Sequence, residues 1–391
     1  MHPDSSNISS SAAEQTEQPK GREIPHVPLA EHINHTPFPT QYFQAVDSDG
    51  NISHIVVLRI TFDMTQVDRD GTLYYANTQT PLVVEDAWYG EPNTSSPLWE
   101  SDFAPYKPKC DVILANASAY APKDKAAKRW QVGIGIGEGN DVWMKSIAVT
   151  GPRQFGFFGL SEPAAVTSVA LRYENAFGGQ RIWPEPANPP GPEKLTDKKP
   201  DIWDTDERNP VGCGYAQSDF LTRHPKDTRA PQLEMPCKPF TGQRGYAPVG
   251  MGAIGRAWLP RRLLAGTYND EWIKHQWPLP PKNFKYGYWN CAPLDQQIKY
   301  PEPGSRISLA HIYPGQEFFT CRLPRHILFL LCVLDSGVEV PCPLKLDTLA
   351  IDMKTRHIVS VFRANVSSIE NIRCIEARME EVFQTTNGNK R

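Results

Sequence analysis

Missing from this sequence is any apolar run long enough to cross a membrane as a helix. The longest strongly apolar run, Ile327–Leu334, is about eight residues, against about 20 for a span. An excess of charge is missing too: 41 Lys and Arg against 44 Asp and Glu leave a net −3. That balance offers no electrostatic footprint for nucleic acid or an anionic membrane. No Cys-x-x-Cys pair occurs among the eight cysteines, which argues against a zinc ribbon. The N-terminus, MHPDSSNISSSAAEQTEQPK, is polar and has no apolar signal core. The cysteines therefore read as free thiols and the chain as cytoplasmic. GxSxG, HExxH, Walker A and kinase signatures are all absent, so no cofactor, metal or catalytic residue is expected. Glycines do recur at Gly133, Gly135, Gly137 and Gly139. Their every-second-residue spacing is not GxGxxG, and it suits one face of a strand approached closely by other backbone.

What is abundant is proline. The chain has 37 among its 391 residues, about twice ordinary usage, many of them beside aromatics. This pattern implies loops and edge positions on a β scaffold. Residues 1–36, rich in Ser, Glu, Gln and Pro, read as a flexible tail. His32 and His35 at its end lack any nearby partner residues that would complete a metal site. The remainder divides into a β subdomain over 37–165 and a β-rich subdomain with long loops over 166–391, which could also form one continuous domain with the first.

Successive hairpins carry this reading. In Ile55–Phe62, Leu58, Ile60 and Phe62 share one face and Arg59 and Thr61 the other. Strands are expected at Asp111–Ala117, Trp130–Gly135, Val142–Val149, Ile307–Ile312, Phe318–Arg322, His326–Leu334, Leu344–Ile351 and His357–Phe362. Short helices fit Trp258–Leu264 and Asn269–His275. Ser368–Val382 fits a helix through Ile372, Ile375, Met379 and Val382, or an edge strand. Regular β–helix alternation is lacking, which excludes a doubly wound parallel fold. The expected class is mainly β: antiparallel, sandwich-like, built of hairpins with long Pro/Gly-rich loops and few short helices. Arg181–Asp204 reads as an exposed loop.

Two segments stand out: Tyr173–Gly179 (YENAFGG), and Pro248–Trp272, followed closely by Trp277–Gln297. The latter pair is dense in Gly, Pro, Trp and Arg, a composition that suits rigid contact loops. Trp258, Arg261, Arg262, Tyr268 and Trp272 are the expected partner contacts, with Tyr173, Asn175 and Asn290 as supports. A rival reading takes the aromatics as sugar-stacking surfaces. Glu174, Asp270, Glu271 and Asp295 would then be candidates for the two facing carboxylates of a glycan hydrolase, or parts of a carbohydrate-binding site.

Several rare words occur in a fixed order: TFDM at Thr61–Met64; Asp102, Pro105, Lys107, Pro108, Asp111 and Val112 within Ser101–Pro122; YENAFGG; NPVGCG at Asn209–Gly214; G-x-x-x-R-x-W-x-P-R at Gly252–Arg261; Ala265–Trp272; Ala292–Gln297; and Leu346–Asp352. Together they resemble the family of accessory proteins of unknown-function domain DUF2169, encoded beside type VI secretion spike and effector genes in Gram-negative bacteria. The resemblance runs from about Pro37 to Phe362. Asn269, Asn283–Lys285 and Gly151–Phe155 depart from the family pattern, the first two by losing acids. The resemblance implies a cytoplasmic, non-catalytic adaptor or chaperone. Its partners would be a type VI effector or a PAAR-type protein, with VgrG possible as a further partner, and neither nucleic acid nor membrane insertion is implied.

Overall fold

The computed structural model describes residues 26–139, 141–156, 158–181, 204–215, 228–243, 245–367 and 371–381. The expected loop over Arg181–Asp204 and most of the tail lie outside them. The architecture is mainly β and antiparallel-rich, as expected. Among the described residues the α-helices are Leu259–Arg262 and Asp270–His275, both short.

A central sheet runs in the order Gln297–Ile298, Cys110–Ala115, Lys345–Asp352, His357–Ser367, Ile52–Val67, Thr40–Val46, with Leu73–Tyr75 paired to the far end of Ile52–Val67. Only the Cys110–Ala115 and Lys345–Asp352 pair is parallel. A five-stranded sheet contains the hairpin of Arg129–Glu138 and Asp141–Thr150, then Arg306–Ala310 and Phe318–Arg322. A four-stranded sheet is ordered Glu31–Asn34, Ile372–Glu381, His326–Leu334, Glu339–Pro343. Strands from 37–165 and from 166–391 are interleaved within the central sheet, so it draws on both segments. Glu31–Asn34, within the stretch read as tail, pairs in parallel with the C-terminal strand.

The alternation in Ile52–Val67 has the phase expected. Val56, Leu58, Ile60, Phe62 and Met64 enter the main apolar core. The opposite face is not solvated: Val57, Arg59 and Thr61 are buried as well. A sheet buried on both faces would normally read as a continuous apolar run. Here one face is apolar and the other carries a buried ionic layer.

The stretch Ile372–Glu381 is a strand, and an interior one. The register slips between Val333 and Leu334, so Arg373 has no opposite residue. This bulge moves the buried positions from Ile372 and Cys374 to Ile375 and Ala377. All eight cysteines are free thiols.

Between the four-stranded and central sheets, His326 packs against Phe62 and Phe362 at ring-centroid distances of 6.4 and 5.9 Å. Burial pushes its pKa down to about 4. An unfolded histidine titrates near 6.5. Below that pH the unfolded chain takes up a proton that the folded chain refuses, so stability falls as the pH drops. The loss between pH 6.5 and about 4 amounts to at most about 3 kcal/mol from this residue. Urea unfolding at pH 7, 5.5 and 4.5 should show the decline, and His326→Gln should flatten it.

Candidate functional site

The second face of the central sheet is covered by two segments distant in sequence, residues 79–107 and 248–297. Between them and the sheet lies a cluster of buried ions. Arg59 donates to Asp102 at 2.9 Å, and Arg363 to Asp347 at 2.6 Å. The Lys107 ammonium donates to Asp111 at 2.9 Å and to Thr348 Oγ1 at 3.0 Å. It lies 3.6 Å from Glu100 Oε2, an ionic contact beyond hydrogen-bond reach. Arg261 bonds the other oxygen of Glu100, which Arg256 also reaches at 3.0 Å. Asp111 accepts in addition from Asn290 Nδ2 and from the amides of Cys291 and Ala292, at 2.9–3.1 Å.

The charges hold one another. Burial alone would raise the Glu100 pKa, but Arg261, Lys107 and Arg256 hold it below the usual carboxylate value. Burial alone would neutralise Lys107, but Asp111 foremost among the acids keeps it a firm cation. Ligand atoms of Glu100, Asp111 and Cys291 lie within 4.8 Å of one another, a grouping that could suit a metal ion. The Lys107 ammonium already supplies the positive charge there, and the remaining space is about 10 Å³.

This arrangement corrects part of the expected contact set. Trp258 is 2% exposed and Arg261 3%; both belong to the interior and cannot touch a partner in this conformation. The Trp258 ring meets Tyr173 edge-on at 5.2 Å. A side chain at Gly255 would come within 2.8 Å of the indole, and one at Gly250 within 2.6 Å of the Tyr173 ring. The glycines of this segment thus seat the rings. Arg261 also donates to the carbonyls of Tyr288 and Ile254. Tyr173 and Asn290 are buried. Asn175 is half-buried and donates to the Ala170 carbonyl. YENAFGG and NPVGCG meet back to back, with Asn209 Nδ2 bonding the carbonyls of Tyr173 and Phe177 at 2.9 and 3.0 Å.

The remaining expected contacts lie in or beside one lobe, residues 263–286. Tyr268 is 57% exposed and meets the half-buried Trp272 edge-on at 4.8 Å. Trp272 Nε1 donates to the Leu279 carbonyl at 3.0 Å. Leu263 and Ile273, not singled out beforehand, and Trp277 are also exposed. Arg262, just before the lobe, forms an exposed pair with Glu207 at 2.7 Å. The lobe is tied down by Gln276 to the Ser48 carbonyl, and the Lys285 N–H closes its two ends on each other at the Leu264 carbonyl. Asn269, a departure from the family pattern, caps the helix Asp270–His275: its Oδ1 accepts from Trp272 N–H at 3.0 Å. Asp270 and Glu271 occupy that helix's first turn, where negative charge complements the helix dipole.

Two of the four carboxylates of the hydrolase reading, Glu174 and Asp295, have partners within the fold. Glu174 accepts from the Ser96 amide at 2.8 Å and its hydroxyl at 2.5 Å. Asp295, 65% exposed, pairs with Lys145 at 2.9 Å. Sequence reasoning missed Glu100, Asp347 and Arg363. Strand alternation put Arg59 on the right face, and the same rule applied to His357–Ser367 would have found Arg363.

Fold and cluster together define a mainly antiparallel β protein whose central sheet carries a buried ionic layer on one face and an exposed aromatic lobe beside it. The chain belongs to the bacterial family described as "Uncharacterized protein conserved in bacteria (DUF2169)", whose model matches residues 49–363. That span opens slightly later than the expected start near Pro37. Comparison with curated proteins and with solved structures found no match. Among the described residues, no helix is long and apolar enough to cross a membrane.

Proposed function

We propose that the protein is a cytoplasmic, non-catalytic adaptor of type VI secretion. It holds an effector, or the effector's PAAR-type spike-binding segment, and helps to load it on the VgrG spike. The carrying observation is the lobe over residues 263–286. It holds Leu263, Tyr268, Ile273 and Trp277 in solvent on a base fixed by buried ion pairs. Exposed apolar side chains grouped on one segment mark an interaction surface, and a pre-ordered aromatic surface loses little entropy on binding. The secretion context rests on the resemblance carried by the order of the rare words. Arg262 and Glu207 would be rim charges, and release would proceed by handover to the spike.

The test is co-expression of the tagged full chain with the products of its neighbouring genes, read by size exclusion and mass spectrometry. The expected result is a stoichiometric complex with an effector or PAAR-type protein that raises the partner's soluble yield. A monomer without any such partner, or glycan hydrolysis abolished by Glu174→Gln, would contradict the reading.

A further inference from the structure

Away from the lobe, a cavity of about 350 Å³ opens at the rim between the central and four-stranded sheets. Its volume lies within the ordinary range of ligand pockets. Phe62 and Phe362 line it from the central sheet, and His326 from the other. Ser360 lines it as well. This side chain is wholly buried, and its hydroxyl oxygen has no hydrogen-bond partner. An unsatisfied buried hydroxyl costs about 1–3 kcal/mol, so its place among three rings calls for an explanation. Burial keeps His326 neutral at ordinary pH, and Tyr75 Oη lies 3.3 Å from its Nδ1. The charged lining residues, Glu302 and Lys345, are exposed ones.

We propose that this cavity binds an uncharged aromatic ring bearing one hydrogen-bonding group, the ring lying against the packed rings of Phe62, Phe362 and His326 and the polar group meeting Ser360. A phenol is the simplest member of the class. The ring replaces water against apolar walls, and its hydroxyl satisfies the orphaned oxygen. The same chemistry is offered by a free small phenol and by a tyrosine side chain.

The test uses the full chain and three probes: p-cresol, toluene and N-acetyl-tyrosinamide, titrated by ligand-detected NMR. We expect saturable binding of p-cresol, about fivefold tighter than toluene, the worth of one net hydrogen bond. Ser360→Ala should erase that advantage and leave toluene unchanged. It should melt at or above the parent temperature, because an unsatisfied group has been removed. Ser360→Val, which fills the space, should weaken both probes. Binding of N-acetyl-tyrosinamide would identify a peptide side chain as the occupant, and its failure beside p-cresol binding would identify a free small molecule. The proposal is overturned if neither p-cresol nor toluene saturates, or if p-cresol keeps its advantage in Ser360→Ala.

Discussion

Lys107→Met is expected to destabilise the protein by about 3–5 kcal/mol, the usual result of removing one partner from a buried ion cluster. The ammonium is 3% exposed and lies between Asp111, at 2.9 Å, and Glu100, at 3.6 Å. Glu100 would keep its arginines, and Asp111 its three N–H donors. Asp111 would nonetheless lose the cation bonded to it, and Thr348 Oγ1 would lose its donor. Methionine fills much of the lysine volume, so the effect reports charge more than packing. The control is Lys282→Met. Its pair with Asp49 at 2.6 Å is exposed, and its loss should cost under about 1 kcal/mol. Equilibrium urea unfolding of the three proteins decides the matter. Equal midpoints for Lys107→Met and Lys282→Met would show that water reaches the cluster.

Trp258→Ala should cost about 3–5 kcal/mol, as expected for truncating a fully buried large ring. Tyr173 would lose its edge-on neighbour, and Gly255 and Gly250 would line an open cavity. The indole N–H has no hydrogen-bond partner, so the loss comes from packing. Tyr268→Ala, at an exposed ring, should leave the melt nearly unchanged. A large loss of stability at Trp258 with little at Tyr268 would separate the interior of this segment from its surface.

That separation is where the sequence misled. A Gly/Pro-rich stretch with Trp and Arg has the composition of a contact loop, and its half from Leu263 to Trp277 is mostly exposed. Trp258 and Arg261 have the same composition but are covered, because Tyr173 and Glu100 reach them from residues far away in the chain. No local pattern announces such partners. The polar face of Ile52–Val67 posed the same difficulty. Alternation placed Arg59 correctly opposite Leu58 and Ile60, but could not reveal that Asp102 would cover it. The hairpins were legible because their apolar periodicity and turn residues are local. The C-terminal strand was not, because its bulge sets Ile372, Ile375 and Met379 three and four residues apart, the spacing of a helix face. Asn269, expected inside the helix, instead caps it.

The measurement that bears most directly on the account is the affinity of the partner recovered from that complex for the parent chain and two variants, taken by calorimetry. One is Tyr268→Ala/Trp277→Ala, on the lobe. The other is Glu174→Gln/Asp295→Asn, at the carboxylates of the hydrolase reading. The account predicts a loss of at least about tenfold for the lobe variant, as for truncating interface aromatics, with its melt preserved, and little change for the carboxylate variant. Unchanged binding in the lobe variant would contradict it.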